Sequence, residues 1–150
     1  MNLIDQPIII THSYPSCTSE QLWHALTNIS EMKQWYFEAI PDFKPEVGFY
    51  TSFLLTNEGR DFTHQFKVLE VLEGQMIRYT FNFAEYDGDG YVQFDLKPSA
   101  DECTLTLTSV ITKPYPSDIP EFKRESGVAG WNYFLKDRLT DYLQQKIEKS

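Results

Sequence analysis

The C-terminal part of the chain carries its clearest hydrophobic pattern. Between residues 125 and 147, apolar side chains recur mostly at intervals of three and four positions, which is the stripe of an amphipathic helix. At ~1.5 Å per residue, such a helix would be roughly 35 Å long. Its apolar face therefore needs an extended matching surface, and that face consists of Val128, Trp131, Leu135, Leu139, Tyr142 and Leu143.

The segment before residue 48 predicts one strand and two short helices. β-Branched and aromatic residues at positions 8–14 lie between two prolines and indicate a first strand. Thr18 followed by Gln21 has the spacing of a capping box and marks the start of a helix. A second short helix is predicted at residues 30–35, and two prolines exclude regular structure from residues 40–47.

From residue 48 onward the hydrophobic period changes to two, which predicts five successive strands joined by short turns. The hairpins between them are marked by Asn57-Glu58-Gly59, Gly74 and Asp87-Gly88-Asp89-Gly90. A proline-rich arm at residues 113–122 then leads into the final helix. This order predicts an α+β fold, in which a curved antiparallel sheet of about six strands carries two short helices after the first strand and a long C-terminal helix across it.

Length and charge narrow the class of protein. With 150 residues, the chain predicts a single domain spanning residues 1–150, large enough to bury a core without disulfides. Thirteen basic against 22 acidic residues leave a net charge of −9, which argues against nucleic acid and anionic membranes as partners. Apolar runs are too short to span a bilayer, and residues 1–5 lack the pattern of a secretory signal, so we expect a cytoplasmic protein.

Known motifs of catalysis and metal binding are absent from the sequence. It contains no glycine-rich phosphate loop, no paired-histidine zinc helix and no nucleophile elbow. Asp87 and Asp89 resemble the start of a calcium loop, but no glutamate closes it. Cys17 and Cys103 fit no metal spacing and are expected to be free structural thiols, with a bridge between them as the alternative. We therefore predict no cofactor, no metal and no catalytic residue.

Several local sequences resemble one known group of proteins. They are Glu20-Gln21-Leu22-Trp23-His24-Ala25-Leu26-Thr27 with Met32-Lys33-Gln34-Trp35-Tyr36, the paired strands between Arg60 and Thr80, and Gly130-Trp131 at the start of the last helix. In this combination the chain resembles the helix-grip proteins of the SRPBCC superfamily, and within it the homologues of the activator of the heat-shock protein 90 ATPase. The resemblance implies the helix-grip fold. It leaves the function open, because the superfamily includes co-chaperone domains, small-molecule binders and cyclase-like enzymes.

Aromatic side chains give the strongest functional signal. Phe, Tyr and Trp make up 15% of the chain, and by alternation many lie on the sheet face that meets the helix. Large rings on a curved sheet can leave an apolar cavity between sheet and helix. The candidate ligand-binding residues are Trp35, Phe49, Phe53, Phe62, His64, Phe66, Tyr79, Phe81, Phe94, Trp131 and Leu135.

His64 is the histidine of this set. By alternation it shares a face with Phe62 and Phe66, where it could hydrogen-bond a ligand or act as a base. The alternative, which we favour, is a core histidine tied to a backbone group or to a tyrosine.

Three functions follow from these observations. The first, which we favour, is a binding module that holds a small hydrophobic or aromatic ligand in a cavity between the sheet and the C-terminal helix. The second is a co-chaperone-like interaction domain with a chaperone as its partner. The third is a cyclase- or hydrolase-type enzyme that uses the same cavity with His64 as acid or base, and it is the least favoured because the sequence names no second polar group aimed at the same point. No feature of the sequence predicts the oligomeric state.

Overall fold

The computed structural model describes residues 6–148, so the expectation about residues 1–5 concerns a stretch outside the described residues. The strands are β1 (Ile8–Pro15), β2 (Tyr50–Asn57), β3 (Arg60–Leu72), β4 (Met76–Thr80), β5 (Asn82–Phe83), β6 (Asp89–Pro98) and β7 (Glu102–Lys113). The helices are α1 (Ser19–Thr27), α2 (Ile29–Trp35), α3 (Arg124–Asn132) and α4 (Leu139–Glu148), and a π-helical segment, Tyr133–Arg138, joins the last two.

The strands form one antiparallel sheet in the order β1-β7-β6-β4-β3-β2. This arrangement confirms the predicted α+β helix-grip fold, with its curled sheet, two short helices after the first strand and a long C-terminal helix. The short strand β5 lies off this path and pairs with β3.

One predicted strand is interrupted. The sequence pattern runs without a break from Ile77 to Phe83, but β4 ends at Thr80 and β5 resumes two residues later on the same partner strand. At the gap, the Thr80 hydroxyl accepts the Lys67 backbone N–H at 2.8 Å. The Thr80 side chain thus makes a hydrogen bond that the strand backbone would otherwise make. The alternation of apolar and polar side chains therefore continues through the gap, although the backbone pairing with β3 is interrupted.

Local signals fix the start of both short helices. Thr18 and Gln21 form the predicted capping box, with both reciprocal hydrogen bonds at 3.0 Å. The second helix begins one residue earlier than predicted, because the Asn28 side chain accepts the backbone N–H of Ser30 at 3.0 Å. An asparagine in the N-cap position satisfies donors that the first turn leaves free.

The sequence pattern predicts a regular α-helix at the C-terminal end. In the structure the middle of this helix is π-helical instead. Its buried residues, Trp131, Leu135, Leu139 and Leu143, are spaced by four. In an α-helix each step of four residues turns the side chain by about 40° beyond a full turn, so the row would rotate away from the sheet. Within the π-helical segment the Leu139 N–H donates to the Phe134 carbonyl five residues earlier. This wider turn helps to keep the row facing the core.

A buried tyrosine fastens this segment to the first strand. The Tyr14 hydroxyl donates to the Leu135 carbonyl at 2.6 Å, and both residues are buried. Burial raises the pKa of Tyr14 above its ordinary range, so the hydroxyl keeps its proton and remains a donor. The contact joins two elements that are far apart in the chain.

We expect Tyr14→Phe to lower the free energy of unfolding by about 1–2 kcal/mol, because it removes one buried hydrogen bond and leaves the ring in place. Urea denaturation measures the change. Tyr133→Phe is the matched control, since Tyr133 is exposed and lies in the same helical segment. Equal stability of the two variants would contradict the assigned role of the Tyr14 hydroxyl.

Candidate functional site

The centre of the space between sheet and helix is filled by side chains. The largest buried residues there include Trp35, Phe66 and Tyr79, each at most 1% exposed. The Trp35 indole N–H donates to the Ala25 carbonyl at 2.7 Å, and the Tyr79 hydroxyl donates to that of Tyr36 at 3.1 Å. Both polar groups are therefore satisfied within the core, and no ligand is needed to complete it.

Aromatic rings from the irregular segment after α2 contribute to this filling. Tyr36 stacks on Trp35 with ring centroids 4.7 Å apart, and Phe37 packs on Phe53 at 5.2 Å. Phe43 meets the Tyr79 ring edge-on at 5.5 Å. The loop thus closes the middle of the sheet face.

Empty space occurs instead at one end of the helix. The proline-rich arm occupies residues 114–123 in the structure, between β7 and α3. A cavity of about 460 Å³, which we call the main cavity, lies between the first turns of α3, the sheet and this arm. Trp131 lines it from the helix and Ile8 from β1. Aromatic and aliphatic side chains of the sheet and the arm form most of the remaining wall, including Phe81, Phe83, Ile111, Tyr115 and Phe122.

The arm is held against the sheet by a tyrosine over a glycine. Gly88 has φ +138°, and a Cβ at this position would meet the Tyr115 ring at 2.2 Å, so only glycine allows this approach. The Tyr115 hydroxyl donates to the Phe81 carbonyl at 2.9 Å. The hairpin at residues 87–90, predicted as a turn, therefore also positions Tyr115, which lines the main cavity.

An ion pair holds the far end of the same arm. Arg60 donates to both carboxylate oxygens of Glu121, at 3.0 and 2.8 Å, and Asn57 adds a third hydrogen bond at 2.7 Å. The hydrogen bonds from Arg60 are the main reason why the pKa of Glu121 falls to about 2. The arm is thereby fastened to the hairpin between β2 and β3, and a bidentate pair also fixes the direction of the contact.

A second cavity of about 240 Å³, the minor cavity, lies beside this ion pair. Its walls include Leu55, Phe62 and His64 from the sheet. Phe83, Glu121 and Phe122 line both cavities, so the two spaces are neighbours that share part of their walls.

His64 is buried and tied to a backbone group, which is the arrangement favoured from the sequence. Its Nδ1 lies 3.0 Å from the Phe62 carbonyl, and its ring stacks on Phe53 at a centroid distance of 4.9 Å. It also lines the minor cavity. Burial is the main cause that lowers the pKa of His64 to about 4, so the imidazole is neutral at pH 7.

Of the eleven predicted site residues, four line one of the two cavities and seven belong to the core. Phe81 and Trp131 line the main cavity, and Phe62 and His64 line the minor cavity. The others pack in or against the core and line neither space, namely Trp35, Phe49, Phe53, Phe66, Tyr79, Phe94 and Leu135.

Sequence reasoning missed the contribution of the arm. Tyr115 and Phe122 are aromatic residues in a proline-rich segment, and this was a usable signal, because large rings in an irregular segment need a surface to cover. Glu121 was missed as well. It is a second polar group beside His64 in the minor cavity, but its carboxylate is already engaged by Arg60 and Asn57.

Metal ligation and thiol chemistry depend on side chains that can be located within residues 6–148. No cluster of three His, Cys, Asp or Glu side chains in that range could hold a metal ion. Cys17 and Cys103 are free and buried, and burial raises the pKa of Cys17 to about 11, which leaves its thiol protonated and unreactive at neutral pH. Within the same range, no helix is both long and apolar enough to cross a membrane.

A curled antiparallel sheet that grips a long C-terminal helix, with a cavity between them, defines a helix-grip domain of the SRPBCC type. The chain belongs to the family of Activator of Hsp90 ATPase homolog 1-like proteins, whose family model matches residues 16–144. The resemblance found in the sequence is thereby confirmed. Comparison with curated proteins gives no match.

Solved structures of similar proteins agree with this assignment. A protein from Mesorhizobium loti superposes with a TM-score of 0.74 at 25% identity, covering 93% of this chain and 98% of the other. A protein from Chromobacterium violaceum gives 0.72 at 24% identity over 90% and 94% of the two chains. A protein in the dynemicin biosynthetic locus gives 0.73 at 21% identity, covering 93% of this chain but 48% of the other. The last two similarities establish the fold.

The buried histidine makes stability depend on pH. The pKa of His64 is about 4 in the folded protein, against an ordinary value of 6.5. Between these values only the unfolded chain binds the proton, so protonation favours unfolding as the pH falls and stability rises again toward neutral pH. From pH 7 to pH 4, we expect the free energy of unfolding of the wild type to fall by about 3 kcal/mol relative to His64→Phe.

Urea denaturation of the two proteins over this pH range measures the difference. His24→Gln is the matched control, because His24 is exposed on α1 and the variant retains the His64 contribution. Parallel curves for the wild type and His64→Phe would contradict the proposed burial of a neutral imidazole.

Proposed function

We propose that this protein binds a small, largely apolar molecule in the main cavity. The proposal rests on where the aromatic core ends. Side chains fill the centre of the core, but about 460 Å³ stays open between Trp131, the sheet and the arm. This volume lies within the range of about 300–1,000 Å³ that is usual for small-molecule sites. The fold of this family, which commonly accommodates hydrophobic ligands, supports the same function.

The walls of the main cavity favour a flat or aromatic ligand. Trp131 and Phe81 meet edge-on with ring centroids 5.7 Å apart, and Tyr115 stacks on Phe122 at 4.7 Å. Rings in these orientations present both faces and edges to an occupant, and aromatic ligands pack well against both. Area burial would supply most of the binding free energy.

Polar groups lie at the rim of the same cavity. Lys123 and Arg124 line it and are exposed, and the Arg124 guanidinium donates to the backbone carbonyls of Gln6 and Pro7. We propose that the apolar part of the ligand lies against Trp131 and that a polar end faces this rim. Such an arrangement keeps charged groups in contact with water.

Filling the main cavity should weaken binding. Ser109 lines it, and alternation along β7 places Thr108 on the opposite face of the sheet. We expect Ser109→Phe to weaken binding of the fluorescent probe 1-anilinonaphthalene-8-sulfonate by about tenfold or more, and Thr108→Phe to leave it near the wild-type value.

Fluorescence titration measures the probe affinity, and native mass spectrometry of the purified protein detects any ligand that it retains. Circular dichroism checks that both variants are folded. Equal probe affinity in a folded Ser109→Phe protein would place the binding site outside the main cavity and contradict the proposal.

A co-chaperone role is a second candidate, favoured by the description of the family itself, Activator of Hsp90 ATPase homolog 1-like protein. In this case the outer surface, which carries the net charge of −9, would contact the chaperone, and the main cavity would have no direct part. Addition of the purified protein to heat-shock protein 90 should then raise the rate of ATP hydrolysis, and Ser109→Phe should raise it equally. An unchanged rate at saturating protein would contradict this second candidate.

A further inference from the structure

One ring nitrogen of His64, a residue that lines the minor cavity, accepts no hydrogen bond from the core within residues 6–148. His64 is 8% exposed, and its Nδ1 lies 3.0 Å from the Phe62 carbonyl. A carbonyl oxygen only accepts hydrogen bonds, so Nδ1 carries the hydrogen and donates it. In the neutral ring the other nitrogen, Nε2, is then left with a lone pair.

The Nε2 atom has no hydrogen-bond partner among residues 6–148. Within the same range, the side-chain oxygens that are fully buried and unpartnered belong to Asn82 and Asn132, and His64 Nε2 is not among the atoms sealed in this way. The nitrogen therefore keeps accessible surface, and His64 lines the minor cavity but not the main one. Nε2 is therefore free to accept a hydrogen bond from a molecule bound beside His64.

The surroundings of this acceptor are aromatic. Phe62 meets Phe83 and Phe122 edge-on, each at a centroid distance of 5.7 Å, and Phe83 meets His64 edge-on at 4.7 Å. An enclosed apolar cavity of about 150 Å³ is enough to hold benzene. The minor cavity is open to solvent on one side, and its volume of about 240 Å³ has room for one aromatic ring with a small substituent.

The charges around the minor cavity favour a neutral ligand. Glu121 lines it and keeps its negative charge, because Arg60 holds its pKa at about 2. Arg60 already pairs with this carboxylate, and among residues 6–148 no lysine or arginine lines the minor cavity to bind an anion. A neutral hydroxyl group needs no such partner and supplies the donor that Nε2 lacks.

We infer that the minor cavity is a binding site for a neutral aromatic ring with a hydroxyl group, the phenol class, whose O–H donates to His64 Nε2 while the ring packs among Phe62, Phe83 and Phe122. This site is separate from the one in the proposed function, since the main cavity does not include His64. Binding of a phenol beside His64 does not rest on the function proposed for the main cavity.

Paired ligands test the inference. Phenol and toluene are of similar size, but only phenol can donate a hydrogen bond. We expect the wild type to bind phenol about fivefold or more tightly than toluene, as one hydrogen bond of about 1 kcal/mol implies. His64→Phe should remove this preference, because it keeps an aromatic ring and lacks the acceptor. Ser109→Phe, which fills the main cavity, should preserve the preference.

Nuclear magnetic resonance of the wild type gives a second readout that needs no variant. In protein labelled with ¹⁵N-histidine, the Nε2 resonance of His64 should shift saturably with phenol, while toluene should shift it less. The resonances of His12 and His24 serve as internal controls, since neither residue lines the minor cavity. Equal affinities for the two ligands, or an Nε2 resonance that phenol leaves unchanged, would overturn the inference.

Discussion

The terminal helix must keep one row of side chains in contact with the sheet along its whole length, and much of the structure depends on this constraint. The row is spaced by four residues, which a regular α-helix cannot hold on one line. The π-helical segment at Tyr133–Arg138 counteracts this rotation, and the Tyr14 hydroxyl binds the Leu135 carbonyl within it. One buried hydrogen bond thus fastens the segment of the helix that departs from regular geometry to the first strand, at the opposite end of the chain.

The same constraint decides where empty space can exist. Next to the tethered segment the helix, the sheet and the loop after α2 pack closely, and Tyr36 contacts the rings of both Phe66 and Trp131. Toward the start of α3 this loop no longer contributes, and Gly90 and Ser109 are among the wall residues. The arm of residues 114–123 covers the opening but does not fill it. The aromatic rings of the loop fill the centre of the core but do not extend to the start of α3, and the main cavity lies there.

Local patterns predicted the fold well, because capping, alternation and turn signals act over a few residues. Thr18 and Gln21 illustrate this, since their reciprocal bonds span three positions. The cavities depend on distant contacts instead. Arg60 and Glu121 are 61 positions apart, and the packing of Tyr115 against Gly88 also joins segments that are distant in the chain. Alternation could place Phe66 on the inner face, but it could not reveal that rings from an irregular loop would cover it.

The two cavities share part of their walls. Phe83, Glu121 and Phe122 line both spaces, and two of them belong to the arm that Arg60 holds in place. A ligand that moved the Phe122 ring toward one cavity would reduce the space in the other, so the two sites would oppose each other. Thermodynamic linkage makes such an opposition reciprocal, so a ligand in either cavity would weaken binding in the other.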